Sequence, residues 1–230
     1  MIVTEPRTAP NAWVGIDHDE LINQVRVQAL GLDWKVGEFE RWVRFEGANM
    51  VAEAPVEIVG LPAPEDCAWG VGLENANNSR LGGIKVYAGL RLEDRNGAFA
   101  PMDVRSLGRH NRNLAMQLPQ RVSETLFEAW GDRRCRGTLQ QFARWKAWLE
   151  GQPLESTGGA DAILMEAYRG GLMPWEKIGK VVQDFGVEQN PTAWGLLKCW
   201  TVVAGKCSPK ARLRYGLRFF ESLVERKRAA

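Results

Sequence analysis

The sequence predicts an α+β fold: an N-terminal antiparallel sheet with a mainly helical C-terminal half. Three observations carry that expectation. Between about 35 and 107, apolar residues recur with a period of two, that of a strand with one buried face. Beyond about 110 the spacing lengthens to three or four, that of an amphipathic helix. Strands come as one block and helices as another, which favours an antiparallel sheet over alternating β–α units.

In chain order, residues 1–16 hold Pro6 and Pro10 with little periodicity and read as an arm. Asp17 is a candidate cap for a helix from His18 to about Leu30, with Leu21, Ile22, Val25 and Ala29 on one face and Gly31 as its stop. Phe39, Arg41, Val43 and Phe45 alternate with Glu40, Trp42, Arg44 and Glu46, predicting a first strand. Val56–Val59 is a second, short candidate. Ala68–Leu73 is a third, running into the turn-prone stretch 74–79. Ile84 to Leu92 alternates most clearly. Asp94-Arg95-Asn96-Gly97 predicts a hairpin, because Asn-Gly accepts positive φ at little cost. The returning strand, about Phe99–Leu107, contains Pro101 and is therefore expected at an edge or a bulge.

The helical half begins at about Met116, where Leu118, Val122, Leu126 and Trp130 recur every four residues; Pro119 is expected in the first turn, the place a helix tolerates proline. A second helix runs through Leu139, Phe142, Trp145 and Leu149 to Gly151-Gln152-Pro153. After a linker at 151–159 come Asp161–Arg169 and Pro174–Phe185. Two final helices are expected to open with Asn190-Pro191 and Ser208-Pro209, a polar cap followed by proline at the first helical position, joined at Gly205-Lys206-Cys207. On this reading 1–110 forms a sheet lobe, 111–150 a helical continuation on the sheet, and 160–230 a C-terminal helical lobe.

Composition narrows the function classes. Ten tryptophans among 230 residues are read mainly as core anchors, with one or two open to base stacking or partner binding. The net charge of +2 hides an asymmetry: residues 1–100 carry 9 basic and 15 acidic side chains (−6), residues 101–230 carry 21 and 13 (+8). Such a basic half suits either a polyanionic partner or attraction to the acidic half. Cys67, Cys135, Cys199 and Cys207 stand singly, without metal-ligand spacing. With no charged-then-apolar leader and no bilayer-length apolar run, free thiols and a cytoplasmic location in a bacterial host cell are expected.

Catalytic motifs are missing from the sequence. There is no Gly-x-Ser-x-Gly elbow, no Gly-Lys-Ser/Thr phosphate loop and no His-Glu-x-x-His, and Gly70-Val71-Gly72 lacks the third glycine of a dinucleotide turn. Of the two histidines, His18 lies at a helix start. His110 is read as a satisfied loop histidine, its charged form disfavoured by Arg109. No catalytic residue, cofactor or metal is expected.

The chain's last segments, Asn190-Pro191-Thr192-Ala193-Trp194-Gly195-Leu196-Leu197 and Ser208-Pro209-Lys210-Ala211-Arg212-Leu213, resemble in order and wording the tail of a phage- and plasmid-like family, the domain of unknown function 932 type. Segments 68–130 and 160–224 follow that family's order. Its central motifs, Asn-Ser-His-Asp, Val-Cys-x-Asn and Arg-Lys-His-Thr, correspond here to Asn75-Ala76-Asn77-Asn78, Arg91-Leu92-Glu93-Asp94 and Gly108-Arg109-His110-Asn111. Only Asn75 and His110 keep the residue type. The resemblance implies mobile-element biology and names no reaction. If those motifs form a site in relatives, it is lost here. If they cap and orient loops, as short polar side chains do, the changes are mild, and this second reading is favoured.

The expected function is a non-enzymatic phage or plasmid accessory protein that binds nucleic acid, possibly single-stranded, during replication or recombination. The alternative is a protein–protein inhibitor of a host defence system or host enzyme. The expected surface joins Asn75, Asn77, Asn78, Arg80, Arg105, Arg109, His110 and Arg112 at the strand-to-helix junction, with Lys210, Arg214 and Arg218 forming a second basic stripe on the last helix.

Overall fold

The computed structural model describes residues 14–44, 47–77, 83–127, 133–154, 159–188, 191–207 and 209–229. Asp17 caps helix α1 (His18–Leu30) as its position predicts: its carboxylate accepts from the backbone N–H groups of Asp19 and Glu20 at 2.8 and 3.0 Å. These are amides that helix geometry leaves without a carbonyl partner. The buried face is the predicted one, Leu21, Ile22, Val25 and Ala29.

The sheet is antiparallel and precedes most of the helices. Its order is β1-β3-β4-β5-β6, with β2 on the β1 edge of β3. Strand β1 (Trp34–Val36) pairs with the end of β3 (Asn49–Ile58), from Trp34↔Ile58 to Val36↔Val56. Strand β2 (Glu40–Arg44) pairs with its beginning, from Glu40↔Glu53 to Arg44↔Asn49. On its other side β3 pairs with β4 (Cys67–Ala76), from Asn49↔Ala76 to Val56↔Trp69. Strands β5 (Ile84–Leu92) and β6 (Ala98–Gly108) complete it, and β6 with Pro101 is an outer strand, as expected.

Two strands are longer than their patterns predict. β3 starts at Asn49, not Val56, because Pro55 does not interrupt it. The Pro55 carbonyl accepts from Gly37 N–H at 2.9 Å, so the missing N–H faces the edge where the partner changes from β2 to β1 and no bond to β4 is lost. β4 continues through Glu74, Asn75 and Ala76, where a turn was expected. All three are buried, and they pair with Val51, Met50 and Asn49. At the β5–β6 hairpin a short 3-10 turn, Glu93–Arg95, leads into Asn96 (φ 55°) and Gly97 (φ 68°), the left-handed pair the sequence signals.

Helix α2 (Arg112–Leu126) starts four residues earlier than its apolar spacing suggests, because Asn111 caps it, accepting from Leu114 N–H at 2.7 Å. Pro119 therefore lies inside the helix and not in its first turn, leaving the Ala115 carbonyl without its usual donor. Helix α3 spans Arg133–Glu150, α4 Gly159–Arg169 and α5 Trp175–Gly186. Helix α6 (Ala193–Gly205) is capped by Thr192, whose hydroxyl accepts from Gly195 N–H at 3.1 Å, so Pro191 precedes the cap and does not open the helix; Asn190 lies outside the described residues. Pro209 opens α7 (Pro209–Ala229) as expected, and Ser208 lies outside the described residues.

The chain forms two compact units that do not follow chain order. One comprises 1–62, 69–88 and 104–139; within it α1 packs on α2 and on β1. The other comprises 63–68, 89–103 and 140–230; within it α4 packs on α5, α5 on α6, and α6 on α7. The second core is built on Trp200, fully buried and stacked on Phe219 at 3.9 Å and 4°, with its indole N–H donated to the Tyr215 carbonyl. Gly216 lets α7 lie against β6, since a Cβ there would stand 2.9 Å from Pro101 Cδ. Trp34, Trp69, Trp194 and Trp200 are buried core residues, Trp42, Trp145 and Trp148 are half-buried and Trp175 is 54% exposed, while Trp13 and Trp130 lie outside the described residues. Among the described residues no helix is long and apolar enough to cross a membrane.

Candidate recognition site at the start of helix α2

The sequence-predicted junction residues separate into an outer and an inner set. Arg105, Arg109 and Arg112 are exposed, whereas Asn75, Asn77 and His110 are buried. Asn78, Arg80 and the Lys210 side chain lie outside the described residues. The three buried groups are thus not surface contacts, and a physical reason is visible for the asparagines. Asn77 pairs its amide with the Ile16 backbone as a neighbouring strand would: Nδ2 donates to the carbonyl at 2.7 Å and Oδ1 accepts from the N–H at 2.9 Å. Asn75 Nδ2 donates to the same carbonyl at 3.0 Å. Short polar side chains do orient a loop here, yet the loop they hold is 59 and 61 residues away.

The Ile16 carbonyl demands a donor, so the Asn75 amide orientation is set, and that determines the tautomer of His18. Nδ1 of His18, 2.9 Å from Asn75 Nδ2, must accept, and Nε2 carries the proton donated to the Gly47 carbonyl at 2.7 Å. His110 belongs to the same region, close enough to His18 for their charges to oppose each other. Thus the only two histidines of the chain, 92 positions apart, fall within electrostatic range of each other. His110 is not the satisfied loop histidine expected from the sequence. Its imidazole is 5% exposed, and neither nitrogen closes a hydrogen bond, the Val14 backbone beside it falling short of that geometry. Burial, with His18 adding and Val14 opposing, lowers its pKa from 6.5 to about 4. The cause is desolvation, not Arg109. The Asn75 Oδ1 is likewise buried without a partner.

The outer set breaks a local rule. Arg109 and Arg112 flank the N-terminus of α2, where exposed N–H groups present partial positive charge and acids are favoured. The first turn of α2 contains no acidic residue, and among the described residues neither arginine has an ion-pair partner. Two guanidiniums beside a positive helix end form a place that an anion would neutralise.

In the second unit, Arg214 and Arg218 are exposed on α7, opposite its buried Leu213, Leu217 and Phe220. Arg218 has a carboxylate nearby: it opposes the rise in Glu221 pKa that burial and Glu225 cause. The same unit holds a charged clamp that the sequence reading missed. Arg95 at the hairpin binds Glu188 at 2.6 Å, and Lys198 of α6 reaches Asp94 at 2.9 Å.

Other reactive groups are muted. Burial pushes the Cys67 and Cys199 thiols up to about 11 and 12, so neither is a ready nucleophile. Glu53 and Glu74 are buried acids, and Glu74 accepts from the Tyr87 hydroxyl at 3.0 Å. Among the described residues no group of three or more His, Cys, Asp or Glu side chains could hold a metal ion. Comparison with protein families, curated proteins and solved structures finds no match for this chain.

Proposed function

We propose that this protein is a non-enzymatic phage or plasmid accessory protein that binds nucleic acid through the phosphate backbone at the start of α2. The observation that carries this reading is the pair Arg109 and Arg112: exposed, without an acid partner among the described residues, and placed at the positive end of a helix with no acid in its first turn. Arginine suits bidentate phosphate contact, and a site of this kind tracks the backbone without reading base sequence. The buried Asn75–Asn77–Ile16 network lies on the strand and loop of the same unit and gives the site a fixed support.

The test is a salt titration of the full chain with single- and double-stranded oligonucleotides. Two phosphate contacts should make log K fall against log salt with a slope of about −1.8 on duplex and about −1.4 on single strands, or steeper if further cations join. Absence of binding at low salt would contradict the proposal and turn attention to a protein partner.

A further inference from the structure

Helix α5 has two faces. Ile178, Val181 and Phe185 are buried in the second unit. A separate row, Trp175, Gly179, Val182 and Gly186, follows at steps of four, three and four, which aligns residues along one side of a helix. This row is open. Trp175 and Val182 are 54% and 42% exposed, and a Cβ built at Gly179 or Gly186 would meet no atom within 4 Å. Tyr168 of α4 holds Trp175 in an edge contact at 5.3 Å, so the exposed indole is braced.

We propose that this row is a self-association surface, on which α5 packs antiparallel against α5 of a second copy of the chain. The argument is self-complementarity. One two-fold axis midway between Lys180 and Val181 sets Trp175 opposite Gly186 of the second copy and also sets Val182 opposite Gly179. Each large side chain then meets a residue with none, twice over, as an isologous contact requires. The same axis brings Glu176 beside Gln183 of the second copy on the polar flank, a carboxylate against an amide donor, and both residues are exposed. A net charge of only +2 leaves little repulsion between two copies. An unrelated helix would have to supply its own matching knobs and gaps, whereas this one carries both in the required order. A single-helix seam is small, so the dimer should be weak and reversible, with a dissociation constant on the order of tens of micromolar.

Sedimentation velocity of the full chain over a concentration series tests this, with Gly179→Lys as the variant. That substitution adds atoms where the protomer has open space and replaces glycine inside a helix, so folding is preserved. It also fills the gap that Val182 of the second copy needs. The wild type should shift from monomer to dimer with concentration, and Gly179→Lys should weaken the association at least about tenfold. A wild type that stays monomeric throughout overturns the proposal. So does a Gly179→Lys protein that dimerises as tightly as the wild type, since the contact must then lie elsewhere.

Discussion

Beside Arg109 and Arg112 the chain buries two asparagine amides and the His110 imidazole; beneath Arg214 and Arg218 it buries aliphatic and aromatic groups. At the α2 junction, polar atoms are taken out of water, hydrogen-bonded across about sixty residues, and in His110 and Asn75 left partly unsatisfied. On α7 the arginines occupy the wet side of an ordinary amphipathic helix, one of them near a carboxylate. Buried polar groups without partners cost free energy that a purely apolar support avoids. Places where a chain breaks local rules without an evident structural gain are where function is to be sought. The comparison therefore favours the junction over α7 as the recognition surface.

The two supports should respond differently to perturbation, most of all in the apolar one. Phe219→Ala removes a fully buried ring from the Trp200 stack and should cost about 3–5 kcal/mol in denaturant unfolding. A loss below about 1 kcal/mol would mean that α7 is not anchored there.

The polar support should instead be sensitive to acid. His110 has a folded-state pKa of about 4 against an ordinary 6.5, so the unfolded chain binds the proton more readily. The stability it contributes is complete above pH 6.5 and is lost as pH falls toward 4, by roughly 3 kcal/mol. His110→Gln should flatten that part of the stability–pH curve. An unchanged curve would show that His110 is not desolvated.

Smaller again is Asn77→Ala, which strips the Ile16 N–H of its acceptor while the carbonyl keeps Asn75. It should cost about 2 kcal/mol. Hydrogen exchange of the Ile16 amide should rise with it, and unchanged protection would contradict the network.

How much of this was readable in the sequence follows from how local each signal is. Asp17 and the Leu21–Ala29 face placed α1 because cap and periodicity are neighbours in the chain. Strict alternation from Ile84 to Leu92 placed β5. Strands β3 and β4 were read short because Pro55, Glu74 and Asn75 look like breakers, and tertiary pairing overrides that appearance. The start of α2 was missed because its first turn offers one apolar residue, Leu114, and the cap chemistry of Asn111 outweighs it. For the site, the arginines were visible as sequence. The inward turn of Asn75, Asn77 and His110 was not, since their surroundings, Ile16 and His18, lie 57 or more residues away.

The most direct test sets the two basic surfaces side by side. Oligonucleotide affinity and its salt slope are measured for the wild type, for Arg109→Glu with Arg112→Glu, and for Arg214→Glu with Arg218→Glu. Both doubles should stay within about 1 kcal/mol of wild-type stability, as exposed substitutions do. The junction double is expected to lose at least about tenfold in affinity and to flatten the salt slope by about 2, while the α7 double stays close to wild type. The reverse pattern, or equal binding by all three proteins, would contradict the assignment to the start of α2.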